Sequence, residues 1–266
     1  MTDYTITYSR RKTIAIYVRG GKVEVRAPMK TPKREIEKFI TLKEAWIKKQ
    51  LAESVKIAEK RGAFILNYGD AALYRGKRCL ITARSGDRVG FDDDLQQFYM
   101  PPNLHPERIK AAVIQIYKML AKRRIAGRLS HFTPLMKVRV TGFHITNADR
   151  RWGSCSARKT VNFSWRLIMA DDDVIDYVVI HELAHITEMN HSARFWAIVE
   201  NEIPDYKQRQ KKLEELSRKI GEENWNVNWD AVLENEPALP APKPVPIHEN
   251  VQKSEHGSQQ LSFFDL

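Results

Sequence analysis

The chain has 266 residues, of which 42% are hydrophobic, so it is long enough to bury a sizeable core without staples. Its two cysteines, Cys79 and Cys155, lie far apart and outside any paired spacing, which argues against a disulfide-stapled exported domain and favours a reduced, cytoplasmic protein. No stretch approaches the roughly eighteen apolar residues of a membrane span, and the N-terminus alternates instead of forming an export signal, so we expect no membrane association.

The formal charge of +11 is unevenly distributed. Residues 221–266 carry two Lys and eight Asp or Glu, a net charge of −6, which leaves +17 for residues 1–220. A body this basic attracts phosphate-rich polymers such as DNA, or other acidic partners. The alternative is a Lys-rich surface that only keeps the protein soluble.

The first hundred residues predict a β-rich region that contains a helix pair. Residues 4–28 alternate apolar and polar side chains on both sides of Gly20-Gly21, which is typical of a hairpin. Residues 31–60 carry apolar side chains at helical spacing and predict basic amphipathic helices, with Thr31 as the N-cap. Short strands are predicted over 72–75, 77–83 and 95–100.

The remaining residues predict a mainly helical core with a short sheet. Helices are predicted over 105–128, 171–189, 192–200 and 206–218, and strands over 137–145 and 160–167. After Gly221 the chain becomes acidic and proline-rich, which predicts a flexible tether. The predicted fold class is therefore α+β. We divide it into a β-hairpin, helix and β region at 1–100, a core at 101–220 and a tail at 221–266.

The stretch HELAH, residues 181–185, predicts a metal site. On a helix His181 and His185 point from one face one turn apart, where two imidazoles can bind the same ion. Glu182 is turned about 100° from His181, close enough to reach a water on that ion. The alternative is an ordinary buried helix, but this helix is otherwise apolar, and three unpaired polar groups would be costly there.

A catalytic zinc site needs a third protein ligand and an open position for water. His191 follows His185 by six residues, the gap found in the pattern H-E-x-x-H-x-x-G-x-x-H, although Glu188 replaces the glycine. A continuous helix would leave His191 about 120° out of line. We therefore expect the chain to turn at Asn190, because asparagine tolerates the left-handed conformation. The alternative third ligands are Glu200 and Glu202.

Three imidazoles suit Zn²⁺ better than Mg²⁺ or Ca²⁺, which prefer oxygen ligands. The ion would lower the pKa of a water molecule and polarise the carbonyl under attack. Glu182 would take the proton as general base and pass it to the leaving group.

The loop RRWGSCS, residues 150–156, precedes a strand and is a candidate wall of the substrate cleft. Arg150 or Arg151 would hold the substrate and Trp152 would pack against it, with Asn162 on the next strand assigned to the same role. The alternative is a structural turn around a buried Trp152. Cys155 either occupies an open metal position as a switch or is a small core residue. Residues 160–167 form either an edge strand that pairs with an extended peptide or an internal strand.

Several segments together resemble one known family. RRKTIAIYVRGGKVEVRAP, EAWIKKQL, RWGSCS, HELAH and NHSARFW are similar to the YgjP-like metallopeptidases, which are related to the SprT-like proteases, and the likeness covers about residues 4–217. The resemblance implies a zincin-type helical core, with His181, His185 and His191 as ligands and Glu182 as the catalytic glutamate. No downstream Met-turn is present, so a metzincin is not expected.

The resemblance leaves the substrate open. SprT-like relatives include proteases that digest proteins crosslinked to DNA, which would suit the basic body. Some YgjP-like members act on UTP as nucleotide pyrophosphatases, and a basic cleft suits a triphosphate as well. The ligands alone do not decide, because metal-activated water can attack phosphorus or a carbonyl carbon.

The last residues form a separate motif. QLSFF, residues 260–264, resembles the short peptide by which many bacterial replication and repair proteins bind the sliding clamp. Gln260 would supply polar contacts, and an apolar pocket would take Leu261, Phe263 and Phe264.

Three hypotheses follow from the sequence. The first is a cytoplasmic zinc metallopeptidase that acts on protein near DNA and is tethered to the clamp by its tail. The second is a metal-dependent UTP pyrophosphatase. The third is a non-catalytic adaptor for DNA or the clamp, in which zinc is a structural staple.

Overall fold

The computed structural model describes residues 3–229, and their arrangement is α+β, as predicted. The chain begins with β1 (Tyr4–Ser9), β2 (Ala15–Arg19) and β3 (Lys22–Pro28), which form a sheet in the order β1-β3-β2. β2 and β3 are antiparallel and joined by the predicted turn. Gly20 and Gly21 have φ angles of 54° and 74°, a left-handed conformation that side chains rarely allow.

The predicted helix pair follows as α1 (Lys33–Leu42) and α2 (Glu44–Ala63). The pair packs through Ile36 and Ile47 onto the inner face of the first sheet, which presents Val23, Val25 and Ala27. The predicted N-cap, Thr31, lies one residue too early. Pro32 occupies the cap position with extended backbone, and because proline offers no side-chain acceptor, α1 begins without a side-chain cap.

A four-stranded sheet packs on the longest helix. β4 (Ala71–Tyr74), β5 (Lys77–Ala83), β6 (Gly90–Asp92) and β7 (Gln97–Met100) form it in the order β4-β5-β7-β6. The helix, α3 (Pro106–Leu135), runs seven residues beyond its predicted end. It continues because the buried residues Leu129 and Phe132 extend the apolar stripe of Ile125 at helical spacing.

A three-stranded sheet carries the loop that precedes the site. β8 (Gly142–Thr146), β9 (Gly153–Cys155) and β10 (Thr160–Ser164) form it in the order β8-β10-β9. β10 is parallel to β8 and antiparallel to β9, so of the two alternatives for residues 160–167 the internal strand is the one observed. It also ends before residue 167, because Ser164 caps a 3-10 turn at Trp165–Met169.

Three helices complete the chain: α4 (Asp172–Ala184), α5 (Ala193–Glu202) and α6 (Tyr206–Gly221). α4 is buried on nearly all sides, between α3, α5, α6 and β9. It ends five residues before its predicted end at Met189, and this early end shapes the site.

The buried side chains form two separate hydrophobic cores. The smaller lies between the first sheet and α1–α2, and the larger extends from Leu66 to Trp225. The four-stranded sheet belongs to the larger core together with α3, while the division at residues 100 and 101 stays a prediction. The first residues after Gly221 pack on the larger core, because Trp225 is buried in it.

Among residues 3–229, no helix combines the length and the apolar character that a membrane span requires. The QLSFF motif lies outside the described residues.

Candidate metal centre

Three histidines converge at the C-terminal end of α4. His181 lies in the last turn of that helix, His185 is its C-cap, and His191 lies in the segment that leads to α5. One ring nitrogen from each lies within 4.8 Å of the other two, and the Nε2 atoms of His181 and His191 are 3.1 Å apart. In the described part of the chain, this is the group of potential ligands close enough to share an ion.

The chain turns tightly to bring His191 back. The amides of Thr187 and Glu188 both donate to the carbonyl of Ala184, which closes the end of the helix. The expected left-handed turn at Asn190 is wrong, because the positive φ angles of residues 3–229 lie elsewhere. No glycine is required, since the chain leaves the helix directly after His185 with ordinary backbone angles.

Glu188 contributes through its backbone. Its carbonyl oxygen lies 3.1 Å from Nδ1 of His185, which fixes the ring and leaves Nε2 for an ion. Its carboxylate lies 4.0 Å from Arg194. The alternative ligands Glu200 and Glu202 are absent from the histidine group, and so is Cys155. Burial raises the pKa of the Cys155 thiol, and nearby Glu182 adds to the effect.

The surroundings of the histidines suit a metal ion. The ring of Phe195 lies 4.5–4.8 Å from all three imidazoles and forms an apolar floor. Burial lowers the pKa of His181 to about 4, helped by His185 and His191, so its imidazole is neutral and can donate a lone pair. Nδ1 of His181 is buried and has no hydrogen-bond partner among residues 3–229. Three nitrogen donors beside this apolar ring fit an ion such as Zn²⁺ better than Mg²⁺ or Ca²⁺.

Glu182 is 5% exposed and packs under β9. Burial raises its pKa to about 8, against the opposing effect of Arg151. A Cβ atom at Gly153 would lie 2.5 Å from Oε1 of Glu182 and 2.6 Å from its Cγ. The glycine therefore makes room for the glutamate, a role that the sequence pattern did not predict. The only signal was a small residue beside Trp152 in the loop already assigned to the cleft.

The predicted substrate residues lie on two neighbouring cavities. Arg150, Arg151 and Trp152 line one of about 390 Å³, and the indole nitrogen of Trp152 donates to Oγ of Ser217 at 3.0 Å. Asn162 lines a second cavity of about 210 Å³ and donates to Ser154. Arg151 lines both cavities, so these residues share one face, whereas the Trp152 ring is held by α6.

Comparison with known proteins gives a family and a partial structural likeness. Residues 12–216 match the model of the YgjP-like family, metallopeptidase domain. The metallopeptidase zymogens abylysin of Pyrococcus abyssi and jannalysin of Methanocaldococcus jannaschii are similar in structure, each at 20% identity over 36% of this chain. The likeness covers 94% and 92% of those chains, with TM-scores of 0.33 and 0.29. No curated protein matches the sequence.

Proposed function

Because the chain belongs to the YgjP-like metallopeptidase family and is a metal-dependent hydrolase, we propose that its histidine group binds zinc for peptide hydrolysis. The observation that carries this proposal is the convergence of His181, His185 and His191 within 4.8 Å beside the buried Glu182. A zinc ion held there would supply Lewis acidity, which acidifies water and polarises the carbonyl under attack.

Glu182 is the proposed general base. It follows His181 directly on α4, so its carboxylate starts from a rigid helix and is confined by Gly153. The proton that it takes from water is passed to the amine of the leaving peptide. The positive charge of Arg151 lowers the pKa of this carboxylate and so favours its charged, basic form.

The peptide substrate is proposed to lie along β9. β9 is an edge of its sheet, contacts α4 and holds the glycine that touches Glu182. An extended peptide can add to such an edge through backbone hydrogen bonds. This role replaces the one considered for residues 160–167, because β10 is internal to its sheet.

The metal can be tested directly by elemental analysis of purified protein. We expect one zinc per wild-type chain, and a loss of affinity of about tenfold or more when His181, His185 or His191 is replaced by Ala. His144→Ala is a matched control, because His144 is exposed on β8, outside the histidine group. Zinc that stays bound in His185→Ala and His191→Ala would contradict the proposed ligands.

We propose further that the enzyme acts in the cytoplasm on protein near DNA. Residues 1–63 carry sixteen Lys or Arg and seven Asp or Glu, so they supply +9 of the basic body. That charge suits the phosphate backbone. Binding to duplex DNA that fails to weaken with rising salt, or is absent at low salt, would contradict this role.

The tail motif is proposed to bind the bacterial sliding clamp through Gln260, Leu261, Phe263 and Phe264. The full chain should retain the purified clamp on beads. The variant Leu261→Ala/Phe264→Ala should lose it, because the apolar anchors are removed. Equal retention by both proteins would remove the clamp from the proposal.

UTP pyrophosphatase activity is the second candidate function, favoured by the arginines around the larger cavity. Pyrophosphate release from UTP that is lost in Glu182→Gln would support it. The adaptor hypothesis predicts instead that Glu182→Gln leaves every activity unchanged while His181→Ala unfolds the protein.

A further inference from the structure

The cavity of about 390 Å³ lies at the loop that leads into β9 and is built by several segments. The loop before β9 supplies one wall, and the end of α6 with Trp225 supplies another. Arg61, from the end of α2, closes a third side. The helix pair of the smaller core therefore contributes to this cavity.

Positive charge dominates this cavity. Its lining contains Arg61, Arg150, Arg151 and Arg166 against two carboxylates, Asp149 and Glu223. The formal net charge of these lining residues is therefore +2. Within residues 3–229, none of the four arginines forms an ion pair with a carboxylate.

Arg166 is fixed as a donor by its surroundings. Its Nη1 atom donates to the carbonyls of Asn147 and Ala148, and its guanidinium group stacks 4.4 Å from the ring centre of Trp165. Burial lowers the pKa of Arg166, and the like charge of Arg61 lowers it further, against the attraction of Asp149. Two guanidinium groups held near each other without a paired anion favour binding of a negatively charged group.

Arg151 joins this cavity to the catalytic residues. It lines the larger cavity and also the smaller one, which is lined by Gly153 as well. It acts electrostatically on Glu182, which Gly153 contacts. A substrate that reaches Glu182 along β9 therefore passes the arginine side chains at the start of that strand.

We propose that the cavity is a substrate subsite that binds the carboxylate of an acidic residue near the cleaved bond. This inference rests on the proposed peptidase function and names its substrate class, acidic segments of protein. P-loop NTPases and protein kinases bind a triphosphate with a glycine-rich loop, and the described residues that line this cavity include no such loop. The lining contains a single glycine, Gly221.

The test uses the zinc-loaded full chain on a mixed peptide library, with the residues around each cleavage read by mass spectrometry. We expect Asp and Glu to be enriched at one position near the cleaved bond. For a peptide with Glu there, Arg61→Gln and Arg166→Gln should each lower kcat/KM about tenfold, since a charge-assisted contact is lost. The same peptide with Gln should be cleaved almost equally by wild type and variants.

Matched variants distinguish this subsite from a general effect of the protein's positive charge. Arg158→Gln removes the same charge from the exposed turn between β9 and β10, outside the cavity, and should keep the preference. Arg61→Glu leaves three arginines against three carboxylates in the lining and should abolish the preference for Asp and Glu at that position. If Arg166→Gln impairs folding, Arg61→Gln still tests the subsite. The Arg61 side chain is exposed and forms no ion pair with any described residue, so its replacement should leave the fold intact.

A binding measurement completes the test without catalysis. An acidic peptide added to zinc-loaded Glu182→Gln protein should change the fluorescence of Trp152 and Trp225, and Arg61→Gln should weaken that binding about tenfold. Cleavage without acidic preference, or a preference that persists in Arg61→Glu, would overturn the subsite but leave the peptidase. Binding of UTP in place of the peptide would overturn it in favour of a nucleotide. Absence of any Glu182-dependent cleavage would overturn both proposals.

Discussion

Gly153 and Glu182 show how a single close contact positions the carboxylate that we propose as the catalytic base. The contact joins a helix to a strand 29 residues earlier in the chain, so local patterns could not predict it. Spacing did predict that His181, His185 and His191 would lie together, and they do, although their roles as ligands stay a prediction. The exit from α4 was predicted at the wrong residue. The helix ends with backbone hydrogen bonds to the carbonyl of Ala184. Backbone hydrogen bonds of this kind do not require particular side chains, so the sequence did not predict them.

Gly153→Ala is expected to lower kcat by about tenfold to a hundredfold, because the added methyl group displaces the Glu182 carboxylate. Zinc content should be unchanged. Glu182→Asp shortens the side chain by one methylene, so the double variant should lose less activity than the two single losses combined. Gly142→Ala on β8 is the control, because its Cβ would lie 4.0 Å from Thr160. Full activity in Gly153→Ala would disprove the contact's importance.

At the scale of elements, α4 is anchored at its first turn by the β4–β5 turn. The amides of Arg75 and Gly76 donate to carbonyls of the 3-10 turn, and the Arg75 guanidinium binds Asp172 with two hydrogen bonds. Arg124 also pairs with Asp172, at 3.0 Å. The apolar periodicity predicted both strands and the helix. It could not show that the turn between the strands contacts the start of the helix, because that contact depends on tertiary packing.

This anchor predicts a pH-dependent stability. The hydrogen bonds from Arg75 lower the pKa of Asp172, so the folded pKa lies below the unfolded one. The stabilisation that Asp172 contributes is therefore complete above its unfolded pKa and is lost as pH falls through its folded pKa. Asp172→Asn should lower the melting temperature at pH 7, and the difference from wild type should vanish in acid. Asp93→Asn, which breaks an exposed pair with Arg123, should change little. A difference that grows in acid would contradict the assignment.

At the scale of the whole molecule, the described residues form two hydrophobic cores, and a basic cavity takes Arg61 from α2 and Trp225 from the larger core. Composition and periodicity predicted the α+β class, and the family is confirmed. They did not predict that the four-stranded sheet shares its core with α3, because strand patterns do not show which partner covers them. The change of composition after Gly221 predicted a flexible tether from that residue onward, so the burial of Trp225 was not predicted. The centre of its ring lies 5.1–5.7 Å from those of Phe64, Tyr117 and Trp165.

Trp225→Ala is expected to lower the free energy of unfolding by about 3–5 kcal/mol, because it leaves a cavity in the larger core. Trp229→Ala, at a residue that is 60% exposed, should change it by less than about 0.5 kcal/mol. Chemical denaturation of both variants checks the difference. Equal stability of Trp225→Ala and wild type would mean that this segment does not pack on the core.

The most direct test of the central claim is the rate of peptide hydrolysis by zinc-loaded Glu182→Gln protein beside wild type. The substitution keeps the size of the side chain and the histidine ligands but removes the base. We expect zinc to remain bound and kcat to fall by about 10²–10⁴-fold. Hydrolysis at the wild-type rate by the zinc-loaded variant would contradict the account.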